Sequence, residues 1–186
     1  MTSRTPDGRP ILEVLEPGLL TSVQDAGRQG LGHLGVSPGG FADPWSGAVA
    51  NVLAGAPPGA PLLEITALGP RLAVLEPLVV GLAGADLGAV AGAPGAVRTG
   101  RGRRVEPGRA HALDAGEALA FDPAVADAGT GFRAYLAVPG GLAVPVVLGS
   151  AATSLAGGFG GLDGRALQAG DRLFAHPQTH APAVRP

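Results

Sequence analysis

The sequence has 186 residues, 46% of them hydrophobic, with a formal net charge of −2 and a pI near 6.0. This near-neutral balance argues against a general nucleic-acid or membrane-surface binder. Cysteine is absent, which excludes disulfides and thiolate chemistry. All 13 basic residues are arginine, which excludes a lysine Schiff base and a lysine-bearing phosphate loop.

The chain is predicted to form one domain between two unstructured ends. Residues 1–10 are polar and predict a flexible arm rather than a secretory signal. Residues 175–186 contain three prolines and predict a disordered tail. The domain itself is assigned to residues 11–174, in which many glycines and prolines indicate frequent turns. The longest apolar stretch, residues 77–85, is too short to span a bilayer, so we expect a cytoplasmic protein.

A strand is predicted over residues 11–16, and the clearest helix follows at about 43–54. Asp43 is a favourable N-cap residue, Pro44 suits the first helical position, and a glycine ends the helix. Asn51 lies off the apolar stripe of this helix, so burial does not account for it. The stripe has the i, i+3, i+4 spacing of one helical face and comprises Trp45, Ala48, Val49, Val52 and Leu53.

After residue 61 the pattern changes to short runs with β character, separated by Gly-Pro and Pro-Gly turns. Many short strands at close spacing favour a barrel or sandwich over a βαβ repeat, so the fold class is predicted as mainly β. The predicted strands cover residues 62–66, 71–75, 78–82, 97–99, 118–121, 132–138 and 171–174.

Charged and histidine residues give few specific signals. His176 and His180 have the spacing of a helical zinc pair, but nearby prolines argue against a helix, so no metal site is predicted. A local basic run predicts a solvated hairpin, with an anion-binding patch as the functional alternative. The run comprises Arg98, Arg101, Arg103, Arg104 and Arg109.

Two glycine-rich loops combine acidic residues with arginine, at residues 24–43 and 157–165. Glycine lets backbone N–H groups approach an anion closely, and arginine can bind a carboxylate or a phosphate. The structural alternative is that the glycines make tight turns and Asp–Arg pairs hold the loops together. Both interpretations stay open at this point.

These stretches resemble the family of the 5-oxoprolinase C subunit, also called the allophanate hydrolase subunit 2 or biotin-dependent carboxyltransferase family. The similarity runs from about residue 11 to about residue 174, in one order and with natural spacing. It covers the first half of the family pattern, because members normally continue into a second segment. The segments that carry it are residues 21–28, 35–36, 43–51, 63–66, 132–141, 149–153, 160–165 and 170–173.

The resemblance implies a cyclophilin-like β-barrel and work within a complex that includes proteins like the B and A subunits of oxoprolinase. The first functional hypothesis is a subunit of an ATP-dependent 5-oxoprolinase that hydrolyses 5-oxo-L-proline to L-glutamate. The second is the carboxyltransferase component of a biotin-dependent urea carboxylase or allophanate hydrolase system. The third is a non-catalytic binding module that regulates a partner like the B subunit. ATP is expected in the complex, and biotin is expected only for the carboxyltransferase.

Site residues follow from the same matched positions. The resemblance implies a catalytic polar cluster of Asp25, Arg28 and Asp43. It implies substrate binding by Arg133 and Tyr135, and binding of an anion by Gly160, Gly161 and Arg165. Glu64 is equally well interpreted as a buried structural acid paired with arginine. The chain is not expected to be active alone.

Overall fold

The computed structural model describes residues 9–177, so most of the predicted arm and the predicted tail from residue 178 onwards lie outside the described residues. Within this range no helix is long and apolar enough to cross a membrane. Pairing continues a short way past the predicted domain end. Ala175 bridges Leu142, and the His176 N–H donates to the Gly141 carbonyl at 3.0 Å.

Short strands dominate the described chain, with one substantial helix near the start. The strands are β1 (Leu12–Glu16), β2 (Leu20–Gln24), β3 (Leu62–Thr66), β4 (Arg71–Val74), β5 (Leu78–Gly84), β6 (Ala89–Gly92), β7 (Arg103–Arg104), β8 (Arg109–Leu113), β9 (Ala118–Phe121), β10 (Arg133–Ala137) and β11 (Arg172–Leu173). The α-helices are α1 (Pro44–Ala54) and α2 (Pro94–Val97), and 3₁₀ turns lie at Gly32–Leu34, Pro123–Val125 and Ala128–Thr130.

The strands form two antiparallel sheets, which confirms the mainly β prediction. The six-stranded sheet has the order β11-β1-β4-β9-β6-β7, and the five-stranded sheet has the order β2-β3-β10-β5-β8. Among residues 9–177 no hydrogen-bonded ladder joins the two sheets, so the barrel is not closed. The sheets instead share one apolar core, to which inward-pointing residues of most strands contribute.

The five-stranded sheet is covered on both faces. In β10, Ala134 and Leu136 point into the core between the sheets, whereas Tyr135 and Ala137 point to the opposite face. That opposite face is covered by α1, with which Tyr135 and Ala137 form a second small cluster around Ala50. This sandwiching explains why every residue of β10 after Arg133 is buried.

Helix α1 confirms the predicted position but presents the other face to the protein. Trp45 and Val52 of the predicted stripe are 79% and 61% exposed. The buried residues are small ones, Gly47, Ala50, Asn51 and Ala54. The cause is close approach to β5, because a Cβ on Gly81 would lie 2.1 Å from the Ala50 carbonyl oxygen.

Asn51 is therefore fully buried, contrary to the sequence-based interpretation. Its Nδ2 donates to the carbonyls of Pro58 and Ala60 at 3.1 and 2.9 Å. These bonds fasten the turn after α1 to the helix, because they give the two turn carbonyls a donor.

One predicted strand is wrong. Residue 97 is the last residue of the short helix α2, and residues 98–99 belong to the turn that follows it. Pro94 at the first helical position favours helical backbone there. The neighbouring strands β6 and β7 were not predicted, since one is rich in alanine and glycine and the other lies inside the basic run.

Candidate functional site

The loop that follows β2 meets the loop that follows β10 around a buried carboxylate. Asp25 Oδ1 accepts hydrogen bonds from the Ser150 hydroxyl at 2.6 Å and the Gly27 N–H at 2.7 Å. Its Oδ2 accepts from the Ala151 N–H at 2.6 Å. The bond from Ser150 joins residues 125 apart in sequence, and the bond from Ala151 joins the same two loops. We call the group Gln24, Asp25, Arg28, Ser150 and Thr153 the loop cluster.

Arg28 lies in the loop cluster but does not pair with Asp25. Its side chain is only 2% exposed. The Nη2 donates to the Ala152 carbonyl at 2.6 Å, and the guanidinium carbon lies 4.9 Å from the ring centroid of Phe159. Nε and Nη1 are buried without a hydrogen-bond partner. In the part of the chain that the structure describes, no carboxylate forms an ion pair with Arg28.

A buried cation without a counter-ion is costly in a folded protein, because it has lost its water and gained no opposite charge. Ring and carbonyl contacts offset part of that cost. Glycines pack closely around the group: a Cβ on Gly39 would lie 3.1 Å from Arg28 Nη1, and one on Gly160 would lie 3.2 Å from Nη2. Both glycines have positive φ, so larger residues are doubly disfavoured there.

The segment 39–43 runs from the loop cluster to α1, and side chains of the sheet hold its backbone. The Gly40 N–H donates to Gln24 Oε1 at 3.2 Å. The next N–H groups donate in turn to the Asp25 carbonyl, Glu64 Oε2 and the Tyr135 hydroxyl, at 2.9, 2.7 and 2.8 Å. The segment is therefore fixed by residues of β2, β3 and β10 on the face opposite the core.

A second group of polar residues lies at the α1 end of this segment. We call Asp43, Ser46, Glu64, Arg133 and Tyr135 the sheet cluster. Glu64 Oε1 lies 3.4 Å from Arg133 Nε, which makes Glu64 the arginine-paired acid that the sequence allowed. Tyr135 has no exposed surface, and its burial raises the pKa of the phenol well above its usual range. Tyr135 therefore stays protonated at neutral pH and fixes the backbone beside it.

Asp43 caps α1 as predicted. Its Oδ1 accepts from the N–H groups of Trp45 and Ser46 at 3.0 and 3.2 Å, and its Oδ2 accepts from the Ser46 hydroxyl at 2.5 Å. The hydroxyl bond of Ser46, followed by its N–H bond, lowers the pKa of Asp43 below its usual value. Unlike Asp25, this carboxylate lines an open cleft of about 470 Å³, together with Trp45, Ser46 and Thr130.

The predicted anion site at Gly160, Gly161 and Arg165 differs from the loop cluster, because its arginine has an acid partner. Both terminal nitrogens of Arg165 bind the Asp171 carboxylate, at 2.8 and 2.8 Å. The Gly161 N–H donates to the Ala151 carbonyl at 2.8 Å. Gly160 lies against Arg28 rather than against Arg165 in its close contacts. Anion binding by Gly160, Gly161 and Arg165 stays a prediction. It requires Arg165 to bind the anion in addition to the Asp171 carboxylate.

Sequence reasoning misses the residues that complete these clusters. Gln24 donates to the Ser22 hydroxyl and to the Thr153 carbonyl at 3.1 and 3.3 Å, and Thr153 donates to the Val23 carbonyl at 2.8 Å. No local spacing marks the contact of Ser150 with Asp25. Across residues 9–177, no three His, Cys, Asp or Glu side chains gather to hold a metal ion.

The outer face of this mainly β domain thus collects arginine, carboxylate and hydroxyl groups beside glycine-rich loops. Residues 34–186 match the family model described as "Carboxyltransferase domain, subdomain A and B". The chain belongs to this carboxyltransferase domain family.

Individual relatives agree. The chain is 37% identical over 163 residues to the C subunit of 5-oxoprolinase from Escherichia coli (strain K12), covering 88% of this chain and 48% of the relative. It is 33% identical over 170 residues to urea amidolyase of Lachancea kluyveri, covering 87% of this chain and 8% of that protein. The crystal structure of TTHA0988 superposes with a TM-score of 0.82 at 38% identity, covering 98% of this chain and 34% of that one.

These matches confirm the resemblance seen in the sequence. The chain spans about half the length of the 5-oxoprolinase relative and a small part of the urea amidolyase.

Proposed function

We propose that this chain is the C subunit of an ATP-dependent 5-oxoprolinase, acting with partners like the A and B subunits of that enzyme. The observation that carries the proposal is the buried guanidinium of Arg28, which has two unpartnered nitrogens and no carboxylate among the described residues. Such a group is suited to a small anionic substrate, because the substrate supplies the counter-charge that the fold omits.

The substrate's chemistry fits this role. 5-Oxoproline carries a carboxylate that takes no part in ring opening, so it can stay bound to Arg28 throughout the reaction. In the reaction the lactam C–N bond breaks, water supplies the oxygen added to the carbonyl carbon, and the ring nitrogen leaves as an amine. Coupling to ATP supplies the activation of the carbonyl and releases ADP and phosphate. Urea, by contrast, is neutral and offers no charge to Arg28.

The remaining residues divide into positioning and reacting roles. Asp25 positions the loop of Arg28, since all its bonds hold backbone or Ser150. Tyr135 and Glu64 position the segment 39–43. Asp43 is the proposed general base, because it is the more exposed acid of the matched positions and lines the open cleft. Arg133, which is 47% exposed, is the proposed second anchor for substrate.

The test is ATP-dependent release of glutamate from 5-oxoproline by this chain with its cognate A and B subunits. We expect activity that requires this chain and that falls at least about 100-fold in Arg28→Met, because one charge-assisted contact to substrate is lost. Arg101→Met is the matched control, since it removes an exposed arginine elsewhere. Full activity of Arg28→Met would exclude the proposed role of Arg28.

A second candidate, the carboxyltransferase component of a biotin-dependent urea carboxylase, is supported by the family match and by the urea amidolyase relative. Here Arg28 would hold the carboxyl group in transit. The given sequence has no lysine, so the biotin would be carried outside it. Transfer of labelled carboxylate to urea in the presence of a biotin-carrying partner, without glutamate release from 5-oxoproline, would select this function instead.

The binding-module hypothesis is supported by the outward apolar side chains of α1, Trp45 and Val52. Stable binding to a partner like the B subunit, without either activity, would leave this third function. The same surface serves either enzyme, because the members of a complex need an apolar contact face.

A further inference from the structure

A second cleft, on the six-stranded sheet, has the features of a ligand site that the proposed function does not use. It has a volume of about 320 Å³ and lies where β1, β4 and β9 approach the residues around the end of α2. Its lining includes Glu16, Arg71, Val97, Arg98, Phe121 and Asp122. The loop and sheet clusters belong to the five-stranded sheet and the loops beside it, so the two sites share no residue.

Arg98 is the member of the basic run that lines this cleft. Three other members pair with acids, Arg103 with Glu117 at 3.0 Å, Arg104 with Asp86, and Arg109 with Glu106. Arg101 does not line the cleft. Within the described range, residues 9–177, no carboxylate forms an ion pair with Arg98. The cleft therefore presents an arginine whose charge is not used by the described fold.

Arg71 adds a second donor to the same wall. Its Nη2 binds Glu16 Oε1 at 2.6 Å, but its Nε is buried and has no hydrogen-bond partner. A buried N–H without an acceptor costs stability unless a ligand or water satisfies it. A carboxylate bound between Arg98 and Arg71 Nε would satisfy it and would neutralise Arg98.

Acidic and apolar groups complete the cleft. Asp122 uses Oδ1 to accept from the Ala124 N–H at 2.9 Å, whereas its Oδ2 accepts no hydrogen bond from the described residues. Glu16 also lines the cleft, and its side chain is 65% exposed. Val97 and Phe121 are 4% and 8% exposed and form an apolar floor. The lining thus combines carboxylate-binding, ammonium-binding and apolar groups.

We infer that this cleft binds a small α-amino acid. The carboxylate is held by Arg98 and Arg71 Nε, the ammonium group by Asp122 with Glu16, and an aliphatic side chain rests on Val97 and Phe121. A plain anion leaves the acidic groups unused, and a plain amine leaves the arginines unused, so the pair of charges gives selectivity for the zwitterion.

The test is calorimetric titration of the chain alone with L-valine, isovalerate, isobutylamine and inorganic phosphate. Isovalerate lacks the ammonium group of valine, and isobutylamine lacks its carboxylate. We expect L-valine to bind, and the other three to bind at least about tenfold more weakly, because each loses one charged contact. Equal binding of isovalerate or phosphate, or no binding of L-valine, would overturn the inference.

Variants separate the cleft from general charge effects. Arg98→Ala and Asp122→Asn are each expected to raise the Kd for L-valine about tenfold or more, and Asn retains the acceptor for the Ala124 N–H. Arg101→Ala removes an exposed arginine that does not line the cleft and should leave the Kd unchanged. Equal weakening by Arg101→Ala would also overturn the inference. Neither ATP nor other proteins are present, so the outcome is independent of oxoprolinase activity.

Discussion

The loop cluster and the sheet cluster both hold acids that the resemblance places in one polar group, yet they use their carboxylates in opposite ways. Asp25 is almost fully buried, and three donors occupy its oxygens while joining two distant loops. Asp43 lies at the surface, caps a helix and lines an open cleft. Each carboxylate accepts three hydrogen bonds, so the two acids differ in their exposure and in what their donors hold together, not in the number of donors.

The cations of the two clusters show the reverse difference. Arg28 is buried and lacks an acid among the described residues, whereas Arg133 is half-exposed and has Glu64 beside it. The loop cluster thus combines an anion whose two oxygens both accept hydrogen bonds with a cation that has no acid partner among the described residues. Removing one group at a time tests this contrast.

The largest expected effect is that of Asp25→Ala on stability. The change leaves the Ser150 hydroxyl and the N–H groups of Gly27 and Ala151 without their acceptor. We expect the free energy of unfolding to fall by about 3 kcal/mol, since each buried unpaired donor costs about 1 to 3 kcal/mol. Urea denaturation measures it. Asp25→Asn keeps one acceptor oxygen and should lose less; a loss below about 1 kcal/mol in Asp25→Ala would contradict the structural role.

Tyr135→Phe is expected to be next in size. It removes the hydroxyl that accepts from the Asp43 N–H and that contacts Glu64, while the ring stays packed. We expect a loss of about 1 to 2 kcal/mol, because a buried hydrogen bond disappears without a cavity. Chemical denaturation compared with Phe41→Leu, a packing change at the edge-on ring neighbour, separates the hydroxyl from the aromatic contact. An unchanged stability would show that the bonds to Gln24, Glu64 and the Asp25 carbonyl suffice to hold segment 39–43.

A smaller effect is expected at Asp43, where the acid is exposed. Asp43→Ala should lower stability by about 1 kcal/mol, the usual cost of an N-cap, and Asp43→Ser should recover most of it. Helix content and thermal unfolding by circular dichroism measure both. If Asp43→Ser is stable yet loses oxoprolinase activity, Asp43 acts as more than a cap.

The same residue gives a prediction with pH. Hydrogen bonds from Ser46 lower the pKa of Asp43 in the folded state relative to the unfolded one. The stabilisation is therefore complete above the unfolded pKa of about 3.9 and is lost as pH falls through the folded value. The stability difference between the native chain and Asp43→Ala should be constant from about pH 5 to 7 and should shrink below about pH 4. A difference that grows on acidification would contradict the sign.

The sequence predicts those features of the fold that depend on neighbouring residues, and it misses those that depend on contacts between distant segments. The α1 boundaries are predictable because Asp43, Pro44 and Gly55 act locally. The buried face is not, since periodicity favours the larger side chains, whereas the close approach of β5 at Gly81 admits only small ones. The burial of Asn51 escapes prediction for the same reason.

The candidate site shows a similar limit. The resemblance selects Asp25, Arg28 and Asp43, and the structure brings the first two into one cluster with the third at the other end of segment 39–43. The sequence gives no sign that Asp25 binds Ser150, because the two residues lie 125 positions apart and no spacing rule links them. Nor does the sequence show that Arg28 lacks a carboxylate partner among the described residues, because ion pairs form only when the loops fold together.

The smallest stability effect is expected at Arg133, and it sharpens the contrast with Arg28. Arg133 Nε lies 3.4 Å from Glu64 Oε1 with nearly half of the side chain exposed, so Arg133→Ala should cost less than about 1 kcal/mol. Arg28→Met should also lie within about 1 kcal/mol of the native chain, because loss of the uncompensated charge offsets the loss of the Ala152 contact. If both arginines are substrate anchors, each variant stays folded but raises the KM for 5-oxoproline. A destabilisation of several kcal/mol in Arg28→Met would instead show that the guanidinium links the two loops structurally. The binding site for the substrate's carboxylate would then be assigned to Arg133.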